Sequence, residues 1–257
     1  MSAVANPRPR ASREKTRPSI FWPLAVIVIP LMSFVAKLEI SGGEKLPREG
    51  AFVLAPNHAS EMDPILVAWA VWRMGRAPRF MAKESLFRIP VLGWVLRASG
   101  MIPVARATSA SAAKQTMTAA TELTEHGRGV IVYPEGSLTR DPELWPMRGK
   151  TGAVRLALAG DIPVVPLAHW GVQQILPRYG KLSLWPPRKR VRISVGDPVD
   201  LSDFADRAAQ PAALVEATER VMSAITAELE TLRGEKAPAT RWNPAEHGQK
   251  ETGRLES

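Results

Sequence analysis

Cysteine is absent from the 257-residue chain. That excludes a disulfide framework, a thiolate metal site and a cysteine nucleophile. Acids are scarce beside bases, 25 against 34, which leaves a formal charge of +9 and points to an anionic partner: nucleic acid, anionic lipid or a phosphorylated substrate. No apolar stretch runs far without a break, so a multi-span membrane protein is excluded. A wholly disordered chain is excluded too, since 45% of residues are hydrophobic and 23% charged. The motifs G-x-S-x-G, S-x-x-K and a Walker loop are all missing, and so is any internal repeat. Zinc-ligand spacing, a ribonucleoprotein aromatic signature and a recognition helix are also missing, so the basic charge is the only support for a nucleic-acid-binding protein.

The bases are unevenly placed. Residues 1–19 hold Arg8, Arg10, Arg13, Lys15 and Arg17 against Glu14, with three prolines, and read as a disordered cationic arm. A second run spans Arg178, Lys181, Arg188, Lys189, Arg190 and Arg192 with no acid between them. Residues 234–257 carry four acids and four bases and read as a loose tail. Between the arm and the rest lies Ile20–Ala36, 17 uncharged residues interrupted by Pro23 and Pro30. As a helix it would reach about 26 Å, short of the ~30 Å hydrocarbon core. No clean signal-cleavage site follows it. Three readings stand: a single span, an interfacial or re-entrant anchor, and a buried apolar element. The prolines and the length favour the anchor, with Trp22 at headgroup level and Trp69, Trp72 and Trp94 as further candidate contacts.

From residue 37 to 233 short apolar strands alternate with helical patterns. Strands are expected near 37–41, 51–55, 79–82, 101–105, 130–133, 164–169 and 191–195. Helices are expected near 64–74, 91–98, 109–126, 151–159 and 212–232, the last from a stripe of Leu214, Val215, Val221, Met222, Ile225 and Leu229. The pattern predicts one α/β domain, a mixed β-sheet flanked by helices, behind an N-terminal membrane-anchoring segment.

Four histidines are present. His247 lies in the tail, His126 at a helix end where it reads as a cap, and His169 at the end of an apolar strand where it reads as a core residue. His58 differs. It follows a strand in A-P-N-H-A-S-E-M-D-P, with Asp63 five residues on. Pro64 and an apolar helix come next, so Asp63 also suits an N-cap. If the loop folds back, the carboxylate fixes the imidazole tautomer and stabilises the imidazolium, as in a triad lacking its serine. Such a pair suits a reaction whose nucleophile arrives with the substrate: a hydroxyl, deprotonated by histidine, attacking a thioester.

Four blocks together are more specific than any one. Asn57–Asp63 resembles the N-H-x-x-x-x-D motif of the glycerophospholipid acyltransferases, the family that includes 1-acylglycerol-3-phosphate acyltransferase. G-M-I-P-V-A-R at Gly100–Arg106 resembles its second motif. Y-P-E-G-S at Tyr133–Ser137 is similar to its third, F-P-E-G-T, and I-P-V-V-P-L at Ile162–Leu167 to its fourth. The resemblance covers roughly residues 38–200.

It implies a glycerol-3-phosphate acyltransferase-like fold, with His58 as general base and Asp63 orienting it. Asn57, Lys83, Arg106, Glu135 and Gly136 would line the acceptor site, Arg106 and Lys83 gripping its phosphate. The third motif departs from the family at Leu138, where an arginine is usual; Arg140, Arg148 or Lys150 could restore the charge. The implied donor is acyl-CoA or acyl carrier protein, with no cofactor and no metal. The default acceptor is a lysophosphatidate at an anionic membrane surface. Another lysolipid, glycerol 3-phosphate or a glycolipid stays open. So does a membrane-bound member without transferase activity. The expected place is the cytoplasmic face of the cell membrane.

Overall fold

The computed structural model describes residue 15 and residues 19–104 and 109–250. Its main sheet has five strands: β1 (Ala36–Ser41), β2 (Phe52–Pro56), β5 (Gly129–Ile131), β6 (Val164–Trp170) and β7 (Lys189–Val195), in the order β1-β7-β6-β2-β5. β3 (Met81–Lys83) and β4 (Ile102–Val104) form a parallel pair, linked to the main sheet where Phe80 bridges Ile131. β2, β5 and β6 are mutually parallel, while β7 runs antiparallel to β6 and parallel to β1. The C-terminal ends of β2 and β6 therefore share one edge of the sheet with the N-terminal ends of β1 and β7. The site is built on that edge.

The central strands are buried on both faces, which is why they read as continuous apolar runs and not as alternating ones. Side chains still alternate. Phe52 and Leu54 face helices α1 (Phe21–Val35) and α2 (Asp63–Arg73), packing with Met32, Val35, Leu66 and Ala70. Val53 and Ala55 face the opposite layer: α4 (Ser109–His126), α5 (Gly152–Gly160) and α6 (Pro211–Arg233). The remaining helix, α3 (Pro90–Ala98), lies between β3 and β4 in the chain. The expected mixed sheet flanked by helices is present.

The proline-interrupted segment is one continuous helix. Pro23 falls in the first turn of α1, where no intrahelical donor is required. Pro30 stands inside and costs one hydrogen bond. Met32 and Val35 are buried against the core, while Trp22, Val26, Ile27, Leu31 and Phe34 are exposed. Among the described residues no helix is long and apolar enough to cross a membrane. Of the other tryptophans named above, Trp69 and Trp72 are buried and Trp94 is exposed.

Two expectations need correction. Val215 is exposed; the buried stripe of α6 runs through Leu214, Ala217, Val221, Ile225, Leu229 and Leu232. Residues 234–250 are not loose. Arg241 bonds Glu219 at 3.1 Å and Thr226 at 2.9 Å, and the Trp242 carbonyl accepts from Arg148 N–H. Trp242 also stacks on His247 at 3.6 Å. These partners lie on α6 and on the stretch before α5, too far back in sequence for local composition to show.

Candidate active site

β2 ends at Pro56 and the chain turns through residues 57–62 into α2. His58 is held in this turn by its backbone. Its N–H donates to Glu135 Oε1 at 2.8 Å, and its carbonyl accepts from Thr139 N–H at 2.7 Å. Its ring stacks on Tyr133, centroids 4.1 Å apart, and the side chain is 15% exposed. Nδ1 lies 3.0 Å from Asp63 Oδ2. A carboxylate oxygen accepts, so Nδ1 carries the proton and Nε2 keeps its lone pair for a ligand.

Asp63 does not cap α2. It is the first helical residue, no helix N–H donates to its side chain, and the carboxylate turns back over the preceding loop. Oδ2 accepts from Ala59 N–H at 2.6 Å and from Ser60 N–H at 2.8 Å, besides the imidazole. Oδ1 is buried with no hydrogen-bond partner among the described residues. The capping expectation fails because the donors the carboxylate takes lie N-terminal to it.

His169 belongs to the site and was missed. Its Nε2 donates to the Asn57 carbonyl at 2.8 Å and stands 3.5 Å from Asp63 Oδ2. Asn57 is 1% exposed, and its side chain bonds the backbone of His169 in both directions: Oδ1 accepts from N–H at 2.8 Å and Nδ2 donates to the carbonyl at 3.2 Å. Asn57 therefore ties the end of β2 to β6. The signal was there: parallel neighbours β2 and β6 carry residues 57 and 169 past the same sheet edge.

Glu135 is held by backbone groups in a similar way. It is fully buried, and its carboxylate joins His58 N–H to Met147 N–H, at 2.8 and 3.0 Å. Burial pushes its pKa up to about 8, against the lowering effect of those two N–H groups and Thr139; the charge of Asp63 adds to the rise. Through these bonds it fixes the backbone of the His58 loop. Gly136 takes φ +70°, a left-handed conformation that favours glycine, and lies against the flexible Lys150 side chain.

A family model described as Acyltransferase matches residues 37–170, just over half of the chain and the whole of this site. The chain belongs to the acyltransferase family. It is 32% identical over 142 residues to the chloroplastic 1-acyl-sn-glycerol-3-phosphate acyltransferase BAT2 of Brassica napus, covering 55% of this chain and 39% of that one. To the 1-acyl-sn-glycerol-3-phosphate acyltransferase of Streptococcus pneumoniae it is 28% identical over 184 residues, covering 70% and 62%. The chain thus spans about two fifths of the plant relative's length. The fold resembles the crystal structure of the 1-acyl-sn-glycerophosphate acyltransferase PlsC of Thermotoga maritima, with a TM-score of 0.58, 23% identity and 88% of each chain covered.

The family's cationic positions are less fully placed. Arg106 lies outside the described residues, and Lys83 is described only as the last residue of β3. Arg140, the candidate replacement at the third motif, is 1% exposed and donates from Nη1 to the Tyr179 hydroxyl at 3.3 Å. Leu138 is buried. Two cavities adjoin. One, of about 240 Å³, is lined by Glu135, Met147, Arg148, Lys150 and Thr151. The other, of about 260 Å³, is apolar and lies between α1 and α2, lined by Leu24, Val28, Ile65, Trp69 and Phe80. Phe80 stacks on Tyr133 at 6.5 Å, and Tyr133 on His58, so aromatic rings run from this cleft to the imidazole. Among the described residues no group of three or more histidines and carboxylates could hold a metal ion.

Proposed function

We propose that the protein transfers a fatty acyl group from an acyl thioester, of coenzyme A or acyl carrier protein, to the free hydroxyl of a 1-acylglycerol 3-phosphate. The observation that carries the reading is the 3.0 Å bond between His58 Nδ1 and Asp63 Oδ2. It leaves Nε2 to take the acceptor's hydroxyl proton as the oxygen attacks the thioester carbonyl. The tetrahedral intermediate collapses, the C–S bond breaks, and the imidazolium returns the proton to the leaving sulfur. Asp63 stabilises the imidazolium in between. The apolar cleft beside Phe80 suits the acyl chain, and Arg106, Lys83 and Arg140 are the candidates for the phosphate. The relatives named as 1-acyl-sn-glycerol-3-phosphate acyltransferases support this acceptor.

The donor is a solute and the acceptor a membrane lipid, so the enzyme works at a bilayer surface. We place it on the cytoplasmic face, held by the basic arm and the exposed side of α1. A second acceptor reading rests on Leu138: where the family carries an arginine this chain buries a leucine, and a headgroup other than a simple phosphate fits that change. One long-chain acyl-CoA offered with lysophosphatidate, glycerol 3-phosphate, other lysophospholipids and a glycolipid, with products identified by mass, decides between them. Phosphatidate as the main product is expected. No acyl transfer to any acceptor overturns the reading.

A further inference from the structure

The sheet edge that carries His58, Asp63 and His169 also carries a loop whose outer part, residues 181–187, the chemistry does not use. Residues 175–188 leave the end of β6 and return to the start of β7 at this edge. The loop is pinned from inside. Ser183 N–H donates to the Ile175 carbonyl at 2.7 Å, and Lys189 Nζ reaches the carbonyls of Gln174 and Ser183 at 2.7 and 2.8 Å. With Ser183 turned inward, its neighbours point out: Leu182 is 55% exposed, Leu184 46% and Trp185 82%. A held backbone presenting three large apolar side chains to water has an unexplained cost.

Two observations say what covers them. The first is continuity. Arg188 N–H donates to the Phe34 carbonyl at 3.0 Å, which joins the loop to the C-terminal end of α1, where Leu31 and Phe34 are 60% and 62% exposed. The two sets of exposed apolar side chains therefore lie on joined elements at the active-site edge. The second is charge. Lys181 and Arg188 are exposed at the two ends of the apolar triplet, and the sequence from Arg178 to Arg192 has no acid. Aromatic and aliphatic side chains flanked by bases match an anionic bilayer surface, with Trp185 at the headgroup boundary and the cations on phosphates.

We propose that the loop around Leu182, Leu184 and Trp185 is a second membrane-inserting element which, with the end of α1, seats the active-site edge on an anionic bilayer. The proposal rests on the lipid-acceptor reading above and adds to it an orientation. α1 alone would allow the body of the protein to rotate about one contact. Two contacts on one edge turn the His58 loop toward the leaflet that holds the acceptor.

Because the chain lacks cysteine, single labels are clean. Trp185→Cys carrying an environment-sensitive fluorophore should shift to blue on vesicles of phosphatidylcholine with phosphatidylglycerol, and be quenched by nitroxide lipids. Glu49→Cys, on the loop between β1 and β2 at the opposite edge of the sheet, should stay water-like. Leu182→Ser with Trp185→Ser should weaken sedimentation with these vesicles about tenfold or more, since burial of such side chains is what drives interfacial binding. Rising salt should weaken wild-type binding. Acylation of a monomeric short-chain acceptor should be unchanged in the double variant. A water-like label at residue 185, while the wild type sediments with vesicles, overturns the loop proposal and leaves the membrane reading standing. Failure of the wild type to bind anionic vesicles overturns both. Neither outcome touches acyl transfer itself, which the acceptor panel reads separately.

Discussion

His58 sits between two walls, each with a buried carboxylate, and the two walls treat the carboxylate in opposite ways. In the turn of residues 57–63, one oxygen of Asp63 gathers the imidazole and two backbone N–H groups, with the His169 ring 3.5 Å away. In the stretch of residues 133–147, each oxygen of Glu135 takes a single backbone N–H, and burial lifts its pKa to about 8. Asp63 touches the His58 ring, the general base of the proposed reaction, while Glu135 touches the His58 backbone. Two acids at equal depth can thus serve a charge-bearing and a scaffolding purpose, separated by which part of His58 each one holds.

The largest effects belong to the first wall. His58→Ala should lower kcat by about 10²–10⁴-fold while the protein stays folded, because the ring is partly exposed and removes no buried backbone partner. Asp63→Asn should lose about 10²-fold or more, since a neutral amide no longer stabilises the imidazolium. It also places an NH₂ where Oδ1 is buried without a partner among the described residues, at a cost of about 1–3 kcal/mol. Steady-state kinetics beside thermal melts separate the two effects. Near-normal turnover in a folded Asp63→Asn protein would break the distinction between the walls.

The second wall should respond mainly in stability. Glu135→Ala leaves the N–H groups of His58 and Met147 without an acceptor, each costing about 1–3 kcal/mol. Glu135→Gln should reduce kcat by only about tenfold, through a displaced His58 loop. Its pH signature is sharper. A carboxyl raised to about 8 in the folded state favours folding fully while protonated in both states, and that advantage is lost as pH rises from about 5 to about 8. The melting temperature of the wild type should therefore fall across this window through Glu135, and Glu135→Gln should remove that part of the fall. An identical pH profile in the two proteins would show that Glu135 is ionised throughout.

Much of both walls was legible in the chain, for a physical reason. Strands buried on both faces must be apolar along their whole length, so β2 and β6 stand out, and the N-H-x-x-x-x-D motif follows β2 directly. What could not be read lies in pairings distant in sequence. Asn57 and His169 are 112 residues apart and meet only because β2 and β6 are neighbours. Arg76 looks like a surface arginine, yet it is 1% exposed and donates to the carbonyls of Pro47, Gly50 and Gly127. Asp63 reads as a cap because capping depends on local spacing, whereas its true donors depend on how the loop closes. α1 reads as broken because proline propensity is local, while its packing on α2 is not.

The smallest expected effect is also the finest probe of the second wall. Tyr133 occupies the place where the related motif has phenylalanine. Its ring stacks between His58 and Phe80, but its hydroxyl is buried and has no hydrogen-bond partner among the described residues. Burial, and secondarily the charge of Asp63, raise its pKa well above the ordinary range, so the hydroxyl stays neutral at any working pH. A buried unpaired hydroxyl is a net cost of about 1–3 kcal/mol, and removing it leaves both ring contacts in place. Tyr133→Phe should therefore raise the melting temperature by a few degrees, about 2–4 °C per kcal/mol for a chain of this size. Its kcat should stay within about twofold of wild type if the wall only shapes the loop. A loss of stability would show that the hydroxyl has a partner in the folded protein. A tenfold loss of kcat at unchanged stability would mean that the hydroxyl reaches the substrate, and the second wall would then share in the chemistry.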